Sequence, residues 1–208
     1  MSGANPSVLI IDDDPEFRDS VARLLRSVGL HTQQFASVSD FFNAPPPDGP
    51  TCLVLDIRMP GRSGLELQRD LAAANRQVPT IFITAHGDIP MTVQAMKEGA
   101  VAFLTKPFRN QDLIDAVRQA LNLDREARKQ RDQLASLRKR YESLTARERE
   151  VFALVATGLL NKQIALQLGT TERTVKAHRG VMVQKMEADS VADLVRMADK
   201  LGVGPTET

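Results

Sequence analysis

The chain has 208 residues, 42% of them hydrophobic and 25% charged, with a formal net charge of +1, which is ordinary for a globular protein of one large or two small domains. No run of about 18 apolar residues is present, so no membrane span is expected, and the opening Met1-Ser-Gly-Ala-Asn-Pro6 lacks the basic-then-apolar pattern of a secretory signal. The single cysteine, Cys52, excludes an internal disulfide and fits a reducing cytoplasm; it heads an apolar run, where a buried inert thiol is expected.

Charge is uneven along the chain. Residues 1–120 hold 11 basic against 14 acidic side chains, residues 121–142 hold 7 against 4, and residues 143–208 hold 9 against 8. An acidic front, a basic middle and a mixed rear point to two domains, but this asymmetry alone is weak evidence for nucleic-acid binding.

Val8-Leu-Ile-Ile11, Cys52-Leu-Val-Leu55, Thr80-Ile-Phe-Ile-Thr84 and Val101-Ala-Phe-Leu104 are short and almost wholly apolar, as strands of a parallel sheet covered on both faces should be. A weaker fifth strand is expected near His31–Ala36. Between them run amphipathic helices. Phe17, Val21, Leu24, Leu25 and Val28 share one helical face closed by Gly29. Ser63 caps a helix carrying Leu65 and Leu71; Met91, Ala95 and Met96 lie on another, closed by Gly99; Asn110 caps a last one with Leu113, Ile114, Val117 and Leu121. This pattern predicts a doubly wound α/β domain with a parallel five-stranded sheet over residues 7–121, followed by an all-α domain.

Residues 122–142 contain no Pro or Gly and are rich in helix formers, with only a thin apolar seam of Leu134, Leu137 and Tyr141. They read as an exposed linker helix continuing the last helix of the front domain. A short coiled coil is the alternative, against which stands the lack of three or four sustained heptads. From residue 143 to 203 the pattern is four helices. Thr145-Ala-Arg-Glu148 is a capping box, followed by Val151, Phe152 and Val155 on the buried face and a stop at Gly158. Asn161–Leu168 closes at Gly169, Thr171 starts a helix to about Met186, and Ser190 opens the last, with Leu194, Met197 and Leu201 inward. Pro45-Pro-Pro47 and the tail 204–208 read as loop and frayed end.

In a parallel sheet the strand ends converge on one edge, bringing together Asp12-Asp13-Asp14, Asp56, Thr84 and Lys106-Pro107. Several carboxylates facing one lysine call for a hard divalent cation; oxygen-only ligands favour such an ion, and Mg²⁺ commonly uses one or two carboxylates plus waters and phosphate oxygens. Asp14 and Glu16 fit a helix N-terminus better than a metal site.

This constellation resembles the receiver domain of two-component response regulators: the acidic pair Asp12-Asp13, Asp56 within Leu55-Asp-Ile-Arg-Met-Pro-Gly61, Thr84 and Lys106-Pro107, in that order. The resemblance implies that Asp56 accepts a phosphoryl group from a sensor histidine kinase. It implies Mg²⁺ held by Asp13 and Asp56, with Asp12 acting mainly through water and the Arg58 backbone carbonyl as third protein ligand. Lys106 and the metal would neutralise the transferring phosphoryl group. A cis Lys106-Pro107 bond is also implied, as is a switch pair of Thr84 and Phe103. Phe103 lacks the hydroxyl of the tyrosine that many relatives carry, so its rotation acts through packing; a core phenylalanine that never rotates is the alternative. His86, two past Thr84, is read as tuning phosphate lifetime rather than as an essential base.

Residues 143–203 resemble the LuxR-type helix-turn-helix domain through Leu144–Val151, Gly158, Asn161-Lys-Gln-Ile-Ala165, Leu168-Gly169 and Thr174-Val-Lys-Ala-His178. With Thr84-Ala-His-Gly-Asp-Ile-Pro-Met91, the pairing looks like the NarL/FixJ type, FixJ branch. At 100° per residue, Val175, Met182 and Met186 point one way, while Arg173, Ala177, Gly180 and Gln184 point the other, flanked by Lys176 and Thr174. Such a face fits a major groove of double-stranded promoter DNA. Lys176, Ala177 and Gly180 match the base-facing positions of relatives, and Lys162, Arg173 and Arg179 are assigned to phosphates. Gly180 is a departure, since longer polar residues often stand there; His178 is read as packing.

The expected switch is phosphorylation of Asp56, homodimerisation, DNA binding on two half-sites and regulation, by activation, of transcription with RNA polymerase as a further partner. A haloacid-dehalogenase-like phosphatase also uses an Asp nucleophile and Mg²⁺, but needs a second Asp where this chain has Arg58. A receiver acting only through protein contacts leaves the rear motif unexplained. The chain is therefore read as a cytoplasmic regulator, not an enzyme.

Overall fold

The computed structural model describes residues 5–60, 63–74, 76, 78–85 and 89–203. His86, Gly61 and the tail 204–208 lie outside the described residues. The chain divides into two compact units, Met1–Arg128 and Lys129–Thr208.

In the first unit the elements alternate: β1 (Ser7–Ile11), α1 (Pro15–Ser27), β2 (His31–Phe35), α2 (Val38–Asn43), β3 (Thr51–Asp56), α3 (Gly64–Ala73), β4 (Thr80–Thr84), α4 (Ile89–Lys97), β5 (Ala102–Thr105) and α5 (Asn110–Glu142). All four strand pairings are parallel, in the order β2-β1-β3-β4-β5, giving the expected doubly wound sheet. Period-two alternation divides its apolar side chains between two cores. Val8, Ile10, Cys52, Val54, Ile81 and Ile83 face α1 and α5. Leu9, Ile11, Leu53, Leu55 and Phe82 face α2, α3 and α4. Burial on both sides is why these strands are nearly continuous apolar runs. Burial also pushes the Cys52 thiol pKa upward, so the thiol stays protonated and inert.

Three details differ from the sequence expectations. The helix α2 has no counterpart there: its six residues are too few to display a helical period, although Ser37 caps it by accepting from Asp40 N–H. Asn110 is the first residue inside α5 rather than its cap. Met96 and Val28, placed on apolar faces, are 47% and 38% exposed, because helix-end and outer positions rotate past the sheet.

Helix α5 is continuous over 33 residues. The segment 122–142 is mostly exposed, but Asp124 and Leu137 are buried. Asp124 accepts from Thr51 N–H at 2.8 Å and from Arg128 at 2.6 Å, within the first unit. Leu137 and Tyr141 join the core of the second.

That second unit also holds α6 (Ala146–Ala156), α7 (Asn161–Gln167), α8 (Glu172–Met186) and α9 (Val191–Leu201). The capping box of Thr145 and Glu148 is formed, and Thr171 and Ser190 cap α8 and α9. Val151, Phe152, Val155, Ile164, Val175, Met182, Met186 and Leu194 build its core. No helix among the described residues is long and apolar enough to cross a membrane.

Candidate functional site

The strand order reverses at β1, and the crevice between the ends of β1 and β3 is where α/β sheets bind ligands. Asp12 and Asp13 follow β1 and Asp56 ends β3; one carboxylate oxygen from each lies within 4.8 Å of the others. Asp12 is 1% exposed and Asp56 8%, whereas Asp13 faces solvent. Lys106, just past β5, donates to Asp12 Oδ2 at 2.7 Å and to Asp56 Oδ2 at 3.0 Å. One ammonium thus meets two of the three clustered carboxylates, and the three together are a donor set of oxygens that suits a hard divalent cation. The carboxylates are also held by backbone: Arg58 N–H donates to Asp56 Oδ1 and Asp14 N–H to Asp12 Oδ1, each at 2.9 Å.

Electrostatics follow from this enclosure. Burial pushes the Asp12 carboxyl pKa above its ordinary value, and Asp56 adds to the rise; the bonds from Lys106 and the Asp14 amide offset only part of it. Burial works against the charged form of Lys106, but the bonds to Asp12 and Asp56 outweigh it, and its ammonium is held above the usual lysine value.

Thr84, the last residue of β4, is fully buried, and its carbonyl accepts from Lys106 N–H at 2.8 Å. Phe103, in β5, is half-buried and packs against the core on the α3 and α4 side. The Lys106-Pro107 bond is cis. Asp14 stands outside the carboxylate cluster and caps α1, accepting from Glu16 and Phe17 N–H.

Three contributors were not singled out from sequence. The Phe17 ring lies 3.6 Å beneath Lys106 Nζ, a cation–π contact that fixes the ammonium from α1. Arg18 donates to the Asp12 carbonyl. Gly64 opens α3 where a Cβ would stand 2.5 Å from the Asp56 carbonyl oxygen and 3.2 Å from the Ile57 Cα. Only glycine lets α3 start against the strand end that carries Asp56. A Phe, an Arg and a Gly beside amphipathic helices carry no sequence signal of such a role.

In the second unit, Val175, Met182 and Met186 of α8 are buried. Arg173, Lys176, Ala177, Gly180 and Gln184 are exposed, as helical geometry predicts, and Thr174 is half-buried with its hydroxyl 2.8 Å from that of Thr171. Lys162 is exposed on α7. Arg179 is half-buried and donates to Asn161 Oδ1 at 2.9 Å, a brace between α8 and α7. His178 is half-buried.

Residues 8–118 match the response regulator receiver domain, and residues 142–198 match the bacterial regulatory proteins of the luxR family. Nodulation protein W of Bradyrhizobium diazoefficiens is 50% identical over 201 residues, which are 97% of this chain and 88% of that protein. The transcriptional regulatory protein FixJ of Azorhizobium caulinodans is 44% identical over 200 residues, 96% of this chain and 95% of that protein. Among solved structures, that of the response regulator StyR superimposes with a TM-score of 0.86 at 48% identity, over 95% of this chain and all of that one. The chain therefore belongs to the two-component response regulators that join a receiver domain to a LuxR-type helix-turn-helix DNA-binding domain.

Proposed function

We propose that a sensor histidine kinase phosphorylates Asp56, and that the phosphorylated protein dimerises and binds promoter DNA to activate transcription. The observation that carries this reading is Lys106 held between Asp12 and Asp56 at 2.7 and 3.0 Å, beside a third carboxylate. In the transfer an Asp56 carboxylate oxygen bonds to phosphorus as the P–N bond of the kinase phosphohistidine breaks and the imidazole leaves. The Arg58 N–H already fixes Oδ1, and Lys106 is placed to take up a phosphoryl oxygen. Mg²⁺ fits the oxygen donors: Asp13 and Asp56 would hold it directly, Asp12 mainly through water, with the Arg58 carbonyl as third protein ligand. Bound there, it supplies neutralising charge to the phosphoryl oxygens.

The phosphoryl group then draws in the Thr84 hydroxyl, Phe103 repacks, and the face formed by α4, β5 and α5 changes. That face pairs with a second copy. Its exposed Ile89, Val93 and Met96, at 80%, 46% and 47%, support a role in association. The dimer places two α8 helices on two half-sites, with Lys176, Ala177 and Gly180 toward bases, Thr174 at the flank, and Lys162, Arg173 and Arg179 toward phosphates. In this reading residues 7–121 are the phosphoacceptor domain, 122–142 the joining helix and 143–203 the DNA-binding domain. The protein acts in the cytoplasm, with RNA polymerase as its downstream partner, as a regulator rather than an enzyme.

An anisotropy titration of labelled duplex DNA with and without a phosphodonor tests it. Phosphorylation should tighten binding and raise the oligomer size together; unchanged affinity and size would contradict it.

A further inference from the structure

Helix α8 ends without the residue its termination calls for. The other left-handed residues described in the chain are glycines, whereas Glu187, which closes α8, adopts φ 54° with a full side chain. That conformation is disfavoured for any residue with a Cβ, because the Cβ crowds the following carbonyl oxygen. Its support comes from α5. Arg140 donates to the Met186 carbonyl at 2.9 Å and to the Glu187 carboxylate at 3.2 Å. Its cation also opposes the partial negative charge at the end of α8. The exchange is reciprocal: Lys185 of α8 donates to the Ser143 carbonyl, just past the end of α5, at 3.3 Å, and to Glu148 at 2.7 Å. Leu137, 4% exposed, and Tyr141, whose ring centroid is 5.4 Å from that of Phe152, seat the same turns of α5 in the core. The Arg140 side chain is only 26% exposed, so it is committed to α8 rather than available to a DNA phosphate. It lies outside the matched LuxR-type segment, which begins at residue 142.

We propose that Arg140 is a positioning residue for DNA reading, which fixes the last turn of α8 and through it the register of the base-facing residues. This rests on the reading of α8 as the DNA helix. Holding Glu187 in place is the mechanism, so the requirement for Arg140 should vanish when residue 187 can adopt the left-handed conformation unaided.

The test uses full-length Arg140→Met, Glu187→Gly and the double variant. It compares their affinity for a duplex that the wild type selects from a random library with that for bulk genomic DNA, and follows amide exchange over residues 183–187 without DNA. Arg140→Met should raise exchange there and weaken binding to the selected duplex about tenfold, leaving bulk DNA binding nearly unchanged. Adding Glu187→Gly should restore both. Unchanged exchange in Arg140→Met, equal loss on both DNAs, or no rescue by Glu187→Gly would overturn the proposal. A wild type that selects no sequence would overturn the DNA reading itself, whereas the exchange result judges the Arg140 contact either way.

Discussion

Lys106, at the end of β5, reaches past the ends of β4 and β3 to donate to Asp12, at the end of β1, at 2.7 Å. Two residues 94 positions apart thus span four strands of the sheet, and Asp56 lies under the same ammonium. The pocket keeps its carboxylates close because a cation is built into it, and burial still leaves the Asp12 carboxyl above its ordinary pKa.

Replacing that cation separates charge balance from phosphoryl transfer. Lys106→Met should leave divalent-cation binding as tight or tighter, since a positive neighbour is removed, while phosphate incorporation falls by about tenfold or more. With no tryptophan in the chain, calorimetric Mg²⁺ titration is the suitable binding measurement. Undiminished incorporation would show that Lys106 has no part in the transfer.

Gly64→Ala should destabilise the first unit by about 1–3 kcal/mol, because the added methyl meets the rigid Asp56 backbone rather than a side chain that can turn aside. Denaturant unfolding followed by far-ultraviolet circular dichroism on the full chain, beside the wild type, reads this as a lowered midpoint. A variant as stable as the wild type would mean that α3 shifts freely.

Gly180 offers the opposite case. A Cβ there meets nothing within 4 Å, so Gly180→Ala should raise stability by about 0.5–1 kcal/mol. Any change in DNA sequence preference would then come from the reading face and not from misfolding. Lys176→Ala, on the same exposed face, should weaken specific binding by about 1–3 kcal/mol while phosphate incorporation stays intact. Equal loss of both activities would indicate misfolding instead.

Glu148 gives a pH dependence of defined sign. The hydrogen bond from Lys185 holds its carboxyl below the usual range, helped by the Thr145 amide and opposed by desolvation. A carboxyl depressed in the folded state stabilises the fold above its unfolded pKa and loses that contribution as pH falls through the folded one. Helical content followed by circular dichroism during thermal unfolding should show midpoints falling below about pH 5. Glu148→Gln, which keeps an acceptor for the Thr145 amide, should flatten that fall; an identical profile would remove the pair from the balance.

Much of this was legible because the physics is local or periodic. Doubly buried strands announce themselves as apolar runs, and Thr145 and Glu148 spell out their cap. The carboxylates and Lys106 are legible because parallel topology sends every strand end to one edge. The rest depends on contacts across the fold. The edge strand β2 reads weakly, since His31-Thr-Gln-Gln-Phe35 is only partly covered. Asp124 looks solvated among charged neighbours, yet it is 3% exposed and holds the Thr51 amide. Phe17 under Lys106, Gly64 against Asp56 and Arg140 at the end of α8 are pairings that no spacing encodes.

The most direct test of the switch is phosphate incorporation from acetyl phosphate with Mg²⁺, comparing wild type with Asp56→Asn and recording mass by light scattering. Incorporation that requires Asp56 and converts monomer to dimer is the predicted result. Incorporation that persists in Asp56→Asn, or none in the wild type, would contradict the assignment of Asp56 as the phosphoacceptor.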